Sequence, residues 1–352
     1  MNVLLVGDVP PPPGGIAIHV HQLAGELAAR GAAVQVVDTG KGRHRGLGVR
    51  PLGGAGGLAR EVVSALGRDA LVHVHVSGNN PKAWALAAAF GAPHARGARR
   101  LLTVHSGLAP AFLSRQRSHR WIARAALSGY ASVVAVSEAV RDALAEVGNV
   151  RSRVHVVPAF LGVPEAPAPL PGAVKAWRAR FRPLVAWASH PSPTYGLAHA
   201  LDALAALPSA GAVVFGPGTE ETAFRSEVAR RGLGARVLGL GAISHAGALS
   251  VMRAADLFWR PTLADGDSLS VREACALGVR CLASDAAPRP PGVPVYRTGD
   301  AAALAGASLQ VLSRPPPAAG VGAGAEALWS LYLALAGGAG PSGERRKVGC
   351  AG

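Results

Sequence analysis

Cysteines, aromatic residues and acidic side chains are all scarce in this 352-residue chain. Its three cysteines, Cys275, Cys281 and Cys350, predict neither a disulfide framework nor a zinc site, and they fit a reducing cytoplasm. No run of about 18 uncharged apolar residues is present, so we expect no membrane-spanning helix. The first apolar stretch, "NVLLV", is too short and lacks the basic flank of a secretory signal, so we expect none.

Apolar residues and basic charge are abundant. The chain is 49% hydrophobic and 16% charged, which argues against general disorder and is enough for two ordinary domains. Lysine and arginine number 36 against 21 acidic residues, which gives a net charge of +15. Such a surface attracts phosphates, nucleic acid or anionic lipid.

Short β-branched or apolar runs alternate with longer helical patterns throughout the chain. This alternation predicts parallel sheets covered by helices on both faces. In the first half we predict strands near Val3–Val6, Val34–Val37, Leu71–His75, Leu101–Val104, Val133–Val136 and Val154–Val157. In the second half the strand-like runs are "LVAWAS", "AVVFG", "RVLGLG", "DLFWRP", "VRCLAS" and "VPVYR".

A proline-rich segment divides the two series of strands. It spans Pro158–Gly172, and its composition is typical of a stiff linker. We therefore predict two doubly wound α/β domains, residues 1–165 and 173–313, that face a central cleft. Ligands of such sheets bind beyond the carboxyl ends of the strands. Residues 314–352 are expected to form one helix, "AEALWSLYLALA", followed by a basic, disordered tail.

Two glycines stand between the first strand and the first helix. Gly14 and Gly15 would let backbone N–H groups approach a phosphate or a sugar at a helix N-terminus. The stretch matches neither the P-loop nor the GxGxxG pattern. The alternative is an ordinary strand-to-helix loop.

Two carboxylates flank a short loop after the strand-like run "DLFWRP". Asp265 lies in the predicted loop and Glu273 lies one to two turns into the next helix, so both would face the cleft. The "GDSL" between them would place backbone N–H groups at the helix start, ready for anionic oxygens. The alternative is a capping Asp and an exposed Glu.

Four stretches together resemble the retaining GT-B glycosyltransferases of the GT4 type. The resemblance spans roughly residues 2 to 300, and it implies two Rossmann-like domains and a nucleotide-sugar donor. The stretches are "PPPPGGIAIHVHQLAGELAARGAAVQVVD", "LLTVHSG", "VVAVSEAVRDALAEVGNVRSRVHVVPAF" and "PTLADGDSLSVREACALGVRCLASD".

The resemblance also implies residue roles. Catalytic positions would be His105, beside the reacting sugar, and Asp265, on the sugar hydroxyls. Glu273 would accept hydrogen bonds from the ribose hydroxyls. The remaining donor contacts would come from Gly14, Gly15, Ser268 and Leu269, the last two through backbone N–H groups to the diphosphate.

The sequence departs from the family pattern at three positions. Asp265 replaces the usual first glutamate. Ser189 or His190 stands where an arginine is usual, and Tyr195 replaces the lysine of a "KG" pair. Those cations normally neutralise the donor diphosphate. Either other groups such as Arg260 or His190 compensate, or the donor is unusual, or the site is degenerate.

The segment from Arg96 to Arg124 is strongly basic. It contains seven arginines and no acidic residue. If it is helical, an apolar strip could lie beside the basic face, a composition that suits anionic lipid. The alternatives are a solvated basic face and, less favoured, nucleic acid, for which no recognition motif is present. The strip would comprise Phe112, Leu113, Trp121 and Ile122.

These observations predict a cytoplasmic glycosyltransferase, peripheral on the inner face of the membrane. It would transfer a sugar from a nucleotide-sugar donor to a glycan or lipid-linked acceptor in bacterial surface glycan or glycolipid synthesis. By resemblance it would retain the anomeric configuration and need neither metal nor cofactor. The triplet Asp265-Gly266-Asp267 has metal-motif spacing but lies within the predicted donor loop. The rival hypothesis is a catalytically weak or inactive GT-B module that binds a glycan or a protein.

Overall fold

The computed structural model describes residues 1–11, 14–40, 48–66, 70–91, 99–148, 151–163, 168–320 and 324–337. The chain divides into two compact units. Among the described residues, those within 1–11, 20–157 and 325–337 form unit one, and those within 14–19 and 158–324 form unit two. Within the described residues, no helix is both long enough and apolar enough to cross a membrane.

Unit one is built on a parallel sheet of seven strands in the order β3-β2-β1-β4-β5-β6-β7. The order reverses between β1 and β4, as in a doubly wound sheet. The central strands β4 and β5 are buried along their whole length because helices cover both faces of the sheet. The strands are β1 (Asn2–Gly7), β2 (Ala33–Asp38), β3 (Val49–Pro51), β4 (Leu71–Val76), β5 (Arg100–Val104), β6 (Ser132–Ala135) and β7 (Val154–Val156).

Helices connect these strands and bury their apolar faces on the sheet. The α6 helix shows how the sequence sets a boundary, because the Ser137 hydroxyl accepts a hydrogen bond from the Val140 N–H and caps the helix. The helices are α1 (Gly15–Ala29), α2 (Gly54–Leu66), α3 (Pro81–Gly91), α4 (Ala109–Arg115), α5 (Arg117–Ser128) and α6 (Glu138–Val147).

Unit two has a six-stranded parallel sheet in the order β10-β9-β8-β11-β12-β13, which reverses between β8 and β11. Its strands are β8 (Leu184–Ala188), β9 (Gly211–Phe215), β10 (Val237–Gly239), β11 (Leu257–Arg260), β12 (Cys281–Ser284) and β13 (Val295–Tyr296). Its helices are α7 (Gly172–Arg180), α8 (Leu197–Ala205), α9 (Thr222–Arg230), α10 (His245–Ala254), α11 (Leu269–Ala276) and α12 (Ala301–Leu312).

The last described helix, α13 (Gly324–Ala336), packs in unit one. Its Tyr332 is fully buried, and the Tyr332 hydroxyl lies 2.6 Å from Nδ1 of His73 in β4. At the start of the helix, Glu326 pairs with Arg30. These contacts bind a distant part of the chain to the first sheet. The predicted basic tail lies outside the described residues.

The predicted doubly wound parallel sheets are confirmed. Every predicted strand is present, and the prediction missed only β3 among the described strands. That strand has three residues and ends in proline, so it lacks the apolar run that marked the others.

The predicted apolar strip in the basic segment is wrong. The backbone is extended at Gln116, so the segment forms two helices, α4 and α5, instead of one. Phe112 and Leu113 of α4 are buried in the core of unit one, whereas Trp121 and Ile122 of α5 are exposed. The basic surface is also smaller than predicted, because Arg100 is buried in β5. Arg96 lies outside the described residues.

Candidate active site

One predicted site residue lies in unit one. His105 directly follows β5, where its N–H donates to the Val76 carbonyl at 2.9 Å. Its Nε2 lies 3.1 Å from Nδ1 of His75, a buried residue of β4. The neighbouring strand therefore positions the imidazole of His105 at the carboxyl edge of the sheet. We predicted strand positions for His73 and His75, and both are buried in β4 because helices cover that strand on both faces.

Gly14 and Gly15 lie at the start of α1, where the Gly14 carbonyl accepts the N–H of Ile18. Neither glycine has a positive φ. Among the described residues, no heavy atom beyond the chain neighbours lies within 4 Å of a Cβ built on either one. Backbone conformation and packing therefore do not require glycine at these two positions.

The other predicted site residues lie in unit two, at the carboxyl edge of its sheet. The loops that follow β8 and β11 meet at the point where the strand order reverses. The Leu263 N–H donates to the Thr194 carbonyl at 2.8 Å. Gly196 has φ +69°, and a Cβ there would lie 1.8 Å from the Pro261 carbonyl oxygen. Glycine at this position is therefore required for the contact between the loops.

Asp265 lies at the centre of this edge and is held by two arginines. Its carboxylate accepts hydrogen bonds from Nε and Nη2 of Arg260, both at 2.9 Å, and from Nη1 of Arg289 at 2.7 Å. The Thr262 hydroxyl and the Gly266 N–H donate as well. Burial alone would raise the pKa of Asp265, but the two guanidinium groups outweigh it and hold that pKa well below its usual range.

Arg260 is the more accessible of the two arginines. Its side chain is 13% exposed, against 3% for Arg289. Its guanidinium lies over the ring of Tyr195, with Cζ 5.4 Å from the ring centroid. In the described part of the chain, Nη1 of Arg260 makes no hydrogen bond, whereas Nε and Nη2 bind Asp265.

Asp267, two residues further on, has different partners. Its carboxylate accepts Nε of Arg272 at 2.6 Å and the backbone N–H of Ala159 at 3.3 Å. Burial raises the pKa of Asp267 and outweighs the lowering effect of Arg272. Both carboxylates of the triplet with metal-motif spacing therefore have guanidinium partners.

The α11 helix begins beside this cluster. Ser268 is its N-cap residue, but the Ser268 side chain caps no backbone N–H and instead lies 3.2 Å from the Ser270 hydroxyl. The N–H groups of the first turn, beginning with Leu269, have no acceptor within their own helix. This helix start is therefore suited to an anion.

Glu273 lies in the second turn of α11 and is buried. Its Oε1 lies 2.5 Å from Nε2 of His245, the first residue of α10. Ser244 caps α10 by accepting the Gly247 N–H, so the cap fixes the start of the helix that carries His245. The contact holds the Glu273 carboxylate at a defined position.

Sequence reasoning missed several partners of the site carboxylates, among them His245, Arg272 and Arg289. Arg289 lies in the loop after β12, 24 residues from Asp265, and its proline-rich surroundings give no helical or strand signal. His245 follows a serine at a helix start, a capping signal that marks the helix but not the partner of its first residue.

Comparison with known families is consistent with this geometry. The sequence profile of Glycosyltransferase Family 4 matches residues 13–161, and the profile of Glycosyl transferases group 1 matches residues 182–313. No curated protein sequence is significantly similar to the chain.

Several solved structures share the fold at low sequence identity. HepE of Anabaena, in complex with UDP and glucose, is 19% identical with a TM-score of 0.68, over 96% of this chain and 97% of HepE. Sucrose-phosphate synthase of Thermosynechococcus elongatus has the same identity and TM-score, over 96% of both chains. The trehalose-phosphate synthase of Burkholderia vietnamiensis is 14% identical with a TM-score of 0.62, over 96% of both chains.

Two parallel Rossmann-like sheets and two successive profile matches define the class of this protein: it is a glycosyltransferase with the GT-B fold. Within that class, the two profiles indicate the GT4 type, as the motifs of the sequence predicted.

Proposed function

We propose that the protein transfers a sugar from a nucleotide-sugar donor, bound at the carboxyl edge of the sheet in unit two, to an acceptor hydroxyl. The observation that carries this proposal is the cluster around α11, where an open helix start, an accessible arginine and a fixed carboxylate occur together. They lie at the end of β11 or in the segment that follows it, next to the point where the strand order reverses, which is where open α/β sheets bind ligands.

Glu273 is suited to the ribose of the donor. A carboxylate can accept hydrogen bonds from two neighbouring hydroxyls. His245 contacts Oε1 of Glu273, and within the described residues Oε2 makes no hydrogen bond. The contact with His245 would fix the carboxylate before the donor binds, and this would lower the entropic cost of binding. In this role Glu273 contacts the substrate and His245 is a positioning residue.

The donor diphosphate would lie at the start of α11, with Arg260 as its cation. The N–H groups of Ser268 and Leu269 favour negative charge there. Arg260 would donate Nη1 to a phosphate oxygen, while Asp265 holds the rest of its guanidinium. In this arrangement Arg260 would supply the positive charge that is missing at Ser189, His190 and Tyr195. Tyr195 itself carries no charge but contacts the Arg260 guanidinium.

In place of a direct sugar contact by Asp265, we propose that this residue acts through Arg260. Its carboxylate already accepts five hydrogen bonds from the protein, and its two oxygens offer about four lone-pair sites. Two guanidinium groups against one carboxylate leave the cluster with excess positive charge. That excess stabilises the negative charge that develops on the departing diphosphate.

During transfer, the bond between the anomeric carbon and the diphosphate oxygen breaks. The acceptor oxygen bonds to the same carbon, with retention, and its proton passes to the departing diphosphate. His105, fixed by His75, would lie beside the reacting sugar. We propose a reaction without a metal ion or cofactor, since Arg260 and Arg289 surround Asp265 and Arg272 pairs with Asp267.

The acceptor would be a glycan or a lipid-linked sugar of bacterial surface glycan or glycolipid synthesis. We propose a cytoplasmic location, which the free thiols of Cys275 and Cys281 fit because cytoplasmic thiols stay reduced. We expect no nucleic-acid partner.

The proposal is tested by incubating the protein with UDP-, GDP- and ADP-glucose and measuring the release of nucleoside diphosphate, with and without a chelator. One donor should be cleaved, equally in both conditions. The Glu273→Gln variant should lose most of this activity, and Glu221→Gln, at an exposed position of the same unit, should keep it. No cleavage of any donor by folded protein, together with no nucleotide binding, would favour the rival hypothesis of an inactive module.

A further inference from the structure

The outer face of α5 combines basic charge with an exposed aromatic ring. Arg117, Arg120, Trp121 and Arg124 follow the spacing i, i+3, i+4, i+7 and therefore share one face of the helix. The opposite face is apolar and packs in the core of unit one through Ala123, Ala126 and Leu127. The outer face is thus presented by a helix that the core holds in place.

This face borders a cavity of about 190 Å³. Arg120 anchors one side of it, since its Nη2 donates to the Glu146 carbonyl at 2.7 Å. Three guanidinium groups and a single carboxylate line the cavity, so it favours an anion the size of a phosphate group. The lining residues are Arg117, Arg120, Trp121, Arg124, Glu146 and Val147.

Trp121 is the most exposed large hydrophobic residue of the described chain, at 70%, and the adjacent Ile122 is 38% exposed. Leaving an indole in water costs free energy that burial would recover. No acidic residue occurs in the sequence from Arg99 to Ser137, and the cavity lining adds one, Glu146, against the three arginines of α5. Tryptophan beside several arginines is the composition of surfaces that lie on anionic lipid.

We propose that this outer face of α5 binds an anionic phospholipid surface. The arginines contact lipid phosphates, one of them in the cavity, and Trp121 and Ile122 enter the boundary between head groups and acyl chains. Single-stranded nucleic acid is disfavoured, because its recognition uses several aromatic rings in succession and α5 presents one. This inference goes beyond the proposed transfer reaction and does not depend on it.

The experiment measures co-sedimentation of the full-length protein with vesicles of phosphatidylcholine alone and with 30% phosphatidylglycerol, at about 0.1 M salt. We expect binding to the anionic vesicles only. Each arginine lost near such a surface weakens binding about fivefold, so the triple variant Arg117→Gln, Arg120→Gln, Arg124→Gln should bind about 100-fold less tightly. The matched control removes three exposed arginines of unit two, Arg225, Arg253 and Arg297, and should bind within a few-fold of the wild type.

A second measurement follows the emission of Trp121, taken as the difference between the wild type and Trp121→Phe. We expect a blue shift with anionic vesicles and none with neutral ones. Equal binding by the triple variant and the wild type would overturn the proposal, as would equal binding to neutral vesicles. Binding to a single-stranded oligonucleotide but not to vesicles would also overturn it. Nucleoside diphosphate binding, measured on the same proteins, separates this proposal from the proposed function, because the triple variant should bind nucleotide normally.

Discussion

Replacing Arg260 with methionine removes the guanidinium that we assign to the donor diphosphate. Methionine keeps much of the side chain's length, and it leaves Asp265 with Arg289, the Thr262 hydroxyl and the Gly266 N–H. The lost contact with the diphosphate is a charge-assisted hydrogen bond, worth about 1.5–3 kcal/mol. We therefore expect the affinity for UDP, GDP or ADP, whichever binds, to fall by about 10- to 150-fold.

The assay is calorimetry with the nucleoside diphosphate and, separately, with the nucleoside that lacks phosphates. The Arg260→Met variant should lose affinity for the diphosphate and keep its affinity for the nucleoside. Arg260→Lys retains the charge but cannot pair with Asp265 through two nitrogens, so its affinity should be intermediate. An equal loss for both ligands, or no loss for either, would refute the assignment.

Unfolding must be measured alongside, because breaking a buried ion pair costs about 3–5 kcal/mol of stability. The matched control is Arg236→Met. Arg236 directly precedes β10, and its Nη1 donates to the carbonyls of Leu204, Leu207 and Ala210. It therefore contributes to stability at the opposite, amino edge of the sheet. This variant should lower the free energy of unfolding and leave diphosphate affinity unchanged.

Acid stability, the start of α1 and the Tyr332 contact each give a further testable prediction. Because the pKa of Asp265 is depressed in the folded state, its ionised carboxylate stabilises the fold fully above its unfolded pKa of about 4, and this contribution is lost as the pH falls further. The free energy of unfolding, measured in urea, should therefore fall less between pH 5 and pH 3 in Asp265→Asn than in the wild type, and an equal fall would contradict this. Gly15→Ala should leave the melting temperature within a few degrees of the wild type but lower donor affinity in calorimetry, whereas unchanged affinity would show that no ligand approaches Gly15. Tyr332→Phe removes the hydroxyl bonded to the buried His73 and should lower the free energy of unfolding by about 1–3 kcal/mol in urea titration, without changing donor affinity; an unchanged unfolding curve would refute the role given to that contact.

Local signals predicted most of the fold. Alternating apolar runs and helical patterns marked all but one described strand, and β3 escaped because three residues ending in Pro51 carry no periodicity. The helix of "AEALWSLYLALA" was predicted and is present as α13. The Tyr332 hydroxyl of this helix contacts His73, which lies 259 residues away, and no local sequence pattern encodes that contact.

The candidate site likewise contains residues that the sequence predicted and partners that it did not. The spacing of Asp265 and Glu273 was visible in the sequence, because both flank one helix start. Two of their partners, Arg289 after β12 and His245 at the start of α10, come from other parts of the chain and are brought to the site by the order of the strands. The predicted apolar strip failed for a related reason, since one extended residue, Gln116, turns α5 away from the line of α4.

The central claim is that the edge of unit two around α11 binds a nucleoside diphosphate as part of a sugar donor. Its most direct test is calorimetric titration of the wild type and of Glu273→Ala with UDP, GDP and ADP. We predict that the wild type binds one of the three and that Glu273→Ala, shown to be folded by circular dichroism, does not bind it. Failure of the folded wild-type protein to bind any of them, or equal binding by Glu273→Ala, would contradict the account.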